Sequence, residues 1–260
     1  MKDWRRTPSP ITTAKGEELK ITAEEQLMYN VMKAIYESGI PISFKGSMVL
    51  KACLMEAGFT DDTCHTVDID ANWYSDEWPS GEQMEESIQK ALRNSSINLN
   101  VKLYRMYGEG RSAGFELSDS FSDEILFTMD IDVNRPTVET RIYKIAEIRF
   151  RGSALLPMLA DKLSVISSEK VFRRIKDLID LYYAAQVYTP DWQAVLQAVK
   201  DSGRTLGSFD GFLNKPEELR HAYNKFRFEG DVSKPTFEDV YQTVREYIAQ
   251  ILPQSTKQRI

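Results

Sequence analysis

Two short stretches place carboxylates at alternate positions: Thr66-Val67-Asp68-Ile69-Asp70-Ala71-Asn72 and Thr128-Met129-Asp130-Ile131-Asp132-Val133-Asn134. Side chains alternate faces along a strand, so Asp68, Asp70 and Asn72 share one face while Val67, Ile69, Ala71 and Trp73 share the other. Asp130 and Asp132 share a face in the same way. One such strand alone is usually a half-exposed strand with a solvated side. Asp is disfavoured in strands, however, and two strands of this kind in one chain shift the weighing. Laid side by side, they bring three or four carboxylates together, and that cluster repels itself unless a divalent cation holds it. The chain has only two histidines (His65 and His221) and two cysteines (Cys53 and Cys64). Hard oxygen donors with so few softer ligands favour Mg²⁺ or Mn²⁺ over zinc. Mg²⁺ held by one or two carboxylates completes its shell with water and substrate phosphates. The expected chemistry is phosphoryl or nucleotidyl transfer, in which bound metal activates an attacking oxygen and neutralises a departing pyrophosphate.

Gly46-Ser47 adds to this expectation. It follows the short strand pattern Ile42-Ser43-Phe44 and precedes a helical pattern carrying Met48, Leu50, Leu54 and Met55. Backbone N–H groups at a helix start favour a phosphate, and glycine allows close approach. Gly-Ser before a helix is commonly only a cap; its weight comes from standing shortly before an Asp-x-Asp strand. Other candidates carry less. Cys64-His65 is too isolated to ligate metal, and Gly108-x-Gly110 reads as a hairpin turn because no helix follows it. Tyr182, Tyr183, Tyr188 and Trp192 read as core packing rather than a base-stacking platform.

The elements that must position these residues follow from periodicity. Helices are predicted at 23–37 and 80–93, then at 153–166, 169–186, 192–200, 216–228 and 237–251, the last capped by Thr236 with Asp239. Strands are predicted at 42–44, 67–73, 97–107, 114–117, 125–134 and 140–143. Residues 1–22 read as an N-terminal arm, 23–150 as an α/β domain and 151–260 as a helical domain. The net charge is −6 from 33 basic and 39 acidic residues. That argues against a basic protein that coats nucleic acid. Residues 153–260 hold 15 basic and 14 acidic residues, which leaves 18 basic against 25 acidic in the half carrying both Asp-Ile-Asp stretches. No apolar run approaches the roughly 20 residues of a membrane span, and the N-terminus does not read as a secretory signal. A cytoplasmic protein is expected, with no membrane partner.

Gly46-Ser47, a helix, and then Asp68-Ile69-Asp70 resemble the signature of the DNA-polymerase-β-like nucleotidyltransferase superfamily. More narrowly, FKGSMVLKACL, TVDIDANW, LADKLSVI and RRIKDLIDLYYA occur in an order that resembles the AbiEii/AbiGii toxin family of nucleotidyltransferases. The resemblance spans about residues 44–184. It implies an α+β fold, with a polymerase-β-like mixed sheet flanked by helices and followed by an all-helical C-terminal domain. It implies Mg²⁺ (or Mn²⁺) on Asp68 and Asp70, with a third carboxylate from the neighbouring strand. Alternation leaves Asp130 and Asp132 both open for that place, and Asp130 is taken first. It implies a nucleoside triphosphate held by Lys45, Gly46, Ser47 and Lys162, between the sheet and the helical domain. Asp177 and Asp180 would orient or close the site. The bare helix reading is different: Arg173–Asp177 and Lys176–Asp180 would be surface ion pairs one turn apart.

The activity implied is transfer of a nucleoside monophosphate to an acceptor, RNA (tRNA in particular) or protein, by the toxin of a toxin–antitoxin or abortive-infection pair with a cognate antitoxin. Two rivals belong to other classes. One is a catalytically silent relative that works by binding a partner protein. The other is a different Mg²⁺ enzyme, a nuclease or glycosyltransferase, that uses Asp-x-Asp.

Overall fold

The structure is a computed structural model and describes residues 21–59, 66–75, 77, 79–108, 111–133, 135–227 and 234–251. Most of the predicted N-terminal arm, Cys64-His65 and Asn134 lie outside these residues. The described residues form two compact units, one ending with Ser153 and the other starting at Ala154.

The first unit is a seven-stranded mixed sheet with three helices. In chain order the elements are α1 (Ala23–Glu37), β1 (Ile42–Lys45), α2 (Gly46–Glu56), β2 (Asp68–Trp73), α3 (Gly81–Asn94), β3 (Leu99–Tyr107), β4 (Ser112–Asp119), β5 (Ile125–Val133), β6 (Thr140–Ile145) and β7 (Ile148–Ser153). The sheet order is β3-β4-β5-β2-β1-β7-β6. Two pairings, β1 with β7 and β2 with β5, are parallel, and the rest are antiparallel.

One face of the sheet is apolar and covered. Ile69, Ala71, Phe115, Met129, Ile131 and Phe150 are fully buried. The Tyr29 ring on α1 stacks on Phe150 at 5.9 Å, and its hydroxyl donates to the Met48 carbonyl of α2 at 2.9 Å. Gly152 is needed on β7 because a Cβ there would come within 2.8 Å of Val49 on α2. Burying a large apolar side chain contributes roughly 1.5–3 kcal/mol, so these residues fix which face points inward. Strand alternation then sends the Asp residues to the opposite face.

Two polar devices secure the helices. Thr22 and Glu25 form a reciprocal capping box at the start of α1. The same Glu25, fully buried, accepts from Lys51 of α2 at 2.8 and 2.9 Å. On α3, Gln89 bonds both the Leu99 carbonyl and the Val101 amide, and Glu85 accepts from the Leu103 amide at 2.5 Å. These side chains occupy backbone groups of β3, the edge strand, that would otherwise be open to a foreign strand.

The second unit is helical: α4 (Leu155–Ile166), a 3₁₀ turn (Val171–Arg173), α5 (Ile175–Val187), α6 (Trp192–Asp201), α7 (Asp210–Leu213), α8 (Pro216–Lys225) and α9 (Phe237–Ile251). The predicted helix 169–186 is broken at Arg174, whose φ of −124° and ψ of 37° lie outside the helical region. Ser153, predicted to open a helix, closes β7 instead. Thr236 caps α9 as expected, with its hydroxyl accepting from the Asp239 amide at 3.1 Å. Of the aromatic residues read as core, Tyr183 is buried with Tyr182 against it at 5.4 Å, while Tyr182, Tyr188 and Trp192 are half-buried, Trp192 lying on Tyr247 at 5.0 Å. No described helix is long and apolar enough to cross a membrane.

Candidate active site

The two Asp-Ile-Asp strands are direct neighbours. β2 and β5 run parallel, with Asp68 opposite Thr128, Asp70 opposite Asp130 and Asn72 opposite Asp132. All six residues lie on the face away from the apolar core. Adjacent strands are about 4.8 Å apart, so Asp70 and Asp130 crowd each other across one strand gap.

On the other side of Asp70 stands the Gly46 turn. β1 is antiparallel to β2 and sets Lys45 opposite Asp70. Gly46 follows with φ +73°, a left-handed conformation that side chains resist. A Cβ at Gly46 would lie 2.4 Å from Asp70 Oδ2. Glycine is therefore required twice here, for the backbone angle and for the space that the carboxylate fills. Gly46 and Ser47 also open α2, an eleven-residue helix without a side-chain cap. The first amides of a helix and the positive end of its dipole attract an anion.

Basic and hydroxyl groups divide the carboxylates into two environments. Lys45 reaches across β2 and donates to Asn72 Oδ1 at 2.8 Å and to Asp132 Oδ2 at 2.7 Å. The Ser112 hydroxyl donates to the other Asp132 oxygen, and Arg135 Nε lies 3.3 Å from Oδ2. Burial pushes the Asp132 carboxyl up, but the charge and hydrogen bonds of Lys45, with Ser112 and Arg135, outweigh it and hold the group below its usual range. Asp130 has a looser partner, Arg105 Nη2 at 3.2 Å, on a side chain half exposed to solvent. Asp68 accepts from the Thr66 hydroxyl. Asp68, Asp70 and Asp130 lie on adjoining strands and could offer only oxygen donors, the kind a hard divalent ion such as Mg²⁺ or Mn²⁺ takes. Among the described residues no three acidic, histidine or cysteine side chains already close on one point.

One part of this face was not read from the sequence. β3 carries a bulge between Leu103 and Arg105. It brings Tyr104 and Arg105 to the same side, joined there by Tyr107. The Arg105 guanidinium lies 4.9 Å from the Tyr104 ring centre and 5.0 Å from that of Tyr107. The Tyr107 hydroxyl is pushed up to about 12, by burial first and then by the charges of Asp130 and Asp132. The available signal was the run Tyr104-Arg105-Met106-Tyr107, where apolar–polar alternation fails on an otherwise regular strand.

The remaining residues assigned from the sequence gather in the helical unit. Lys162 of α4, buried, donates to Asp180 Oδ2 at 2.6 Å and to Asp177 Oδ1 at 3.2 Å, both on α5. Arg174 Nε completes the set on Asp177 Oδ2 at 2.7 Å. Burial alone would lower the Lys162 pKa, but the charges of Asp180 and Asp177 reverse the direction and raise it. Asp177 is pushed up by burial and pulled down further by Lys162 and Arg174, so it stays below its usual range. The basic residue one turn from Asp177 is thus Arg174 rather than Arg173, because the helix starts only at Ile175.

No protein-family model matches the chain, and no curated protein matches it. Among solved structures, MenT4, a nucleotidyltransferase toxin from Mycobacterium tuberculosis H37Rv, matches with a TM-score of 0.57 at 13% identity, covering 91% of this chain and 86% of that one. An antigenic nucleotidyltransferase-like protein from Paracoccidioides brasiliensis matches with a TM-score of 0.42 at 11% identity, covering 83% of this chain and 95% of that one. The chain has a nucleotidyltransferase-like fold, a seven-stranded mixed sheet flanked by helices with a helical C-terminal region.

Proposed function

We propose that the chain is a nucleotidyltransferase, dependent on Mg²⁺ or Mn²⁺, that moves a nucleoside monophosphate from a nucleoside triphosphate to an acceptor hydroxyl. The observation that carries the reading is Asp70 set between Gly46 at the start of α2 and Asp130 on the parallel neighbour strand. A phosphate-accepting turn and a carboxylate pair within one strand spacing of each other are what this transfer requires.

In this reading Asp68, Asp70 and Asp130 hold the metal. When bound, the ion would favour loss of the acceptor proton and offset charge growing on the leaving pyrophosphate. The amides at Gly46 and Ser47, with the Ser47 hydroxyl, bind the triphosphate oxygens. Lys45 neutralises Asp132, which lowers repulsion on a crowded face and supports Asp130 over Asp132 as the third carboxylate. The acceptor oxygen forms a bond to the α-phosphorus, the bond from that phosphorus to the pyrophosphate oxygen breaks, and the hydroxyl proton leaves to solvent. Within the helical unit Asp177 and Asp180 hold and orient the Lys162 ammonium.

The word toxin in the name of the MenT4 structure supports a toxin role; RNA, tRNA in particular, as acceptor and an antitoxin protein as partner rest on the sequence resemblance to AbiEii-type toxins alone. The test supplies the full chain with Mg²⁺, each α-labelled triphosphate in turn and total cellular RNA. Label should enter RNA with the native chain and not with Asp68→Ala. Equal labelling by the two sinks the reading.

A further inference from the structure

The exposed bulge on β3 has a composition that its role as an edge strand does not explain. Tyr104 and Tyr107 are 37% and 38% exposed, and the Arg105 side chain is 51% exposed. The edge is already protected further up by Gln89 and Glu85, so these rings are not needed to block strand pairing. Gly114, opposite Arg105 on β4, makes the arrangement possible. A Cβ there would come within 2.8 Å of the Tyr104 ring, so only glycine lets that ring lie across the strand. Arg105 is held between two rings, which pre-organises its guanidinium. Among its N–H groups Nη2 is taken by Asp130, and the others have no protein partner among the described residues.

Position on the sheet gives this ledge a direction. One row crosses the face through Asp70 on β2, Asp130 on β5, Gly114 on β4 and Arg105 on β3. Gly46 and Ser47 lie beyond Asp70 at the opposite end of that row. Attacking and leaving oxygens stand roughly in line at phosphorus. With the pyrophosphate oxygens on the Gly46 flank, the attacking hydroxyl must arrive from the β5–β4–β3 flank. That flank carries two exposed aromatic rings and a cation, the equipment that single-stranded nucleic acid uses for base stacking and phosphate pairing.

We propose that Tyr104, Arg105 and Tyr107 form a ledge that binds the single-stranded end of a nucleic-acid acceptor, bases on the rings and a backbone phosphate on Arg105. This rests on the nucleotidyltransferase reading, and it adds which side of the metal the acceptor occupies and which residues hold it.

The experiment measures binding of a short fluorescein-labelled single-stranded RNA of mixed sequence to the full chain by anisotropy, without triphosphate or metal. Tyr104→Ala with Tyr107→Ala should raise Kd about 10-fold or more, from the stacking of one or two bases. Arg105→Gln should flatten the dependence of log affinity on log salt by about one. The thermal shift given by triphosphate with Mg²⁺ should stay as in the native chain for the double tyrosine variant. Should the double variant fail to fold, Tyr107→Leu, which keeps apolar bulk, gives the same reading with a smaller loss. Unchanged RNA affinity overturns the proposal, as does a native chain that binds no RNA. Loss of the triphosphate shift overturns it too, because the ledge would then seat the incoming nucleotide. A chain that binds RNA through the ledge yet transfers no nucleotide refutes the nucleotidyltransferase reading and leaves the ledge standing.

Discussion

Asp70 and Asp130 stand opposite each other on parallel strands, although the matching letters of the two heptapeptides would align Asp130 with Asp68. The two-residue offset keeps every acidic side chain on the same face, since the strand period is two. It also places Asp132 opposite Asn72, where Lys45 bonds both.

This offset separates two carboxylates that look equivalent in sequence. Asp130→Asn should weaken Mn²⁺ binding at least ~10-fold, followed by electron paramagnetic resonance, and lower transfer roughly 100- to 1000-fold. Asp132→Asn should leave metal binding close to native. Its cost should fall on stability, about 1 kcal/mol from the weakened contacts to Lys45 and Arg135, read from urea midpoints. The reverse pattern would assign the third carboxylate to Asp132.

Gly46→Ala meets two obstacles together. Its φ of +73° costs a side chain about 1–2 kcal/mol, and the new Cβ must displace the Asp70 carboxylate. Melting should fall by about 4 °C or more. Transfer should fall further than Ser47→Ala lowers it, because Ser47→Ala removes one hydroxyl while Gly46→Ala moves a ligand.

Lys162→Met takes the ammonium away from the buried Asp180 and leaves Asp177 with Arg174. Removing one partner of such a network costs about 3–5 kcal/mol, measurable by urea unfolding. Adding Asp177→Leu and Asp180→Leu to Lys162→Met should recover much of that stability, since apolar replacement of a whole buried ion cluster is often neutral. A triple variant that regains stability and still transfers nucleotide would show that the network serves folding alone.

The pH dependence has a definite sign. Asp177 and Asp132 titrate below their usual range in the folded chain, so the stability they contribute is present above the unfolded carboxylate value of about 4. It is lost as pH falls through their folded values. Lys162 is raised, so its contribution is full below about 10.4 and is lost as pH climbs through its folded value. Urea midpoints should therefore be flat around neutrality and fall below about pH 4, and Asp177→Asn should make the acid fall shallower.

Reading the residues in order recovered most elements because their signals are local. The alternation over 67–73 and 125–134, and the Thr236 cap, need only neighbours within one element. β7 escaped although Ile148 and Phe150 alternate with Arg149 and Arg151, because the six-residue strand runs almost directly into α4. The ion-pair partners of Asp177 were misplaced by one residue because the break at Arg174 leaves no mark in the periodicity.

What the sequence determined by itself is the set of groups and their faces: two acidic strands, a glycine turn before a helix, and a Lys with two Asp at helical spacing. Backbone periodicity dictates these, and it is the same wherever the strand or helix ends up. Only the tertiary structure decided which strand lies beside which, the offset pairing Asp70 with Asp130, the capture of Asp132 by Lys45, and the bulge that turns Tyr104 and Arg105 to one side. Those depend on hydrogen-bond register and on which side chains fill the space between distant segments, and neither is written in any local stretch of the chain.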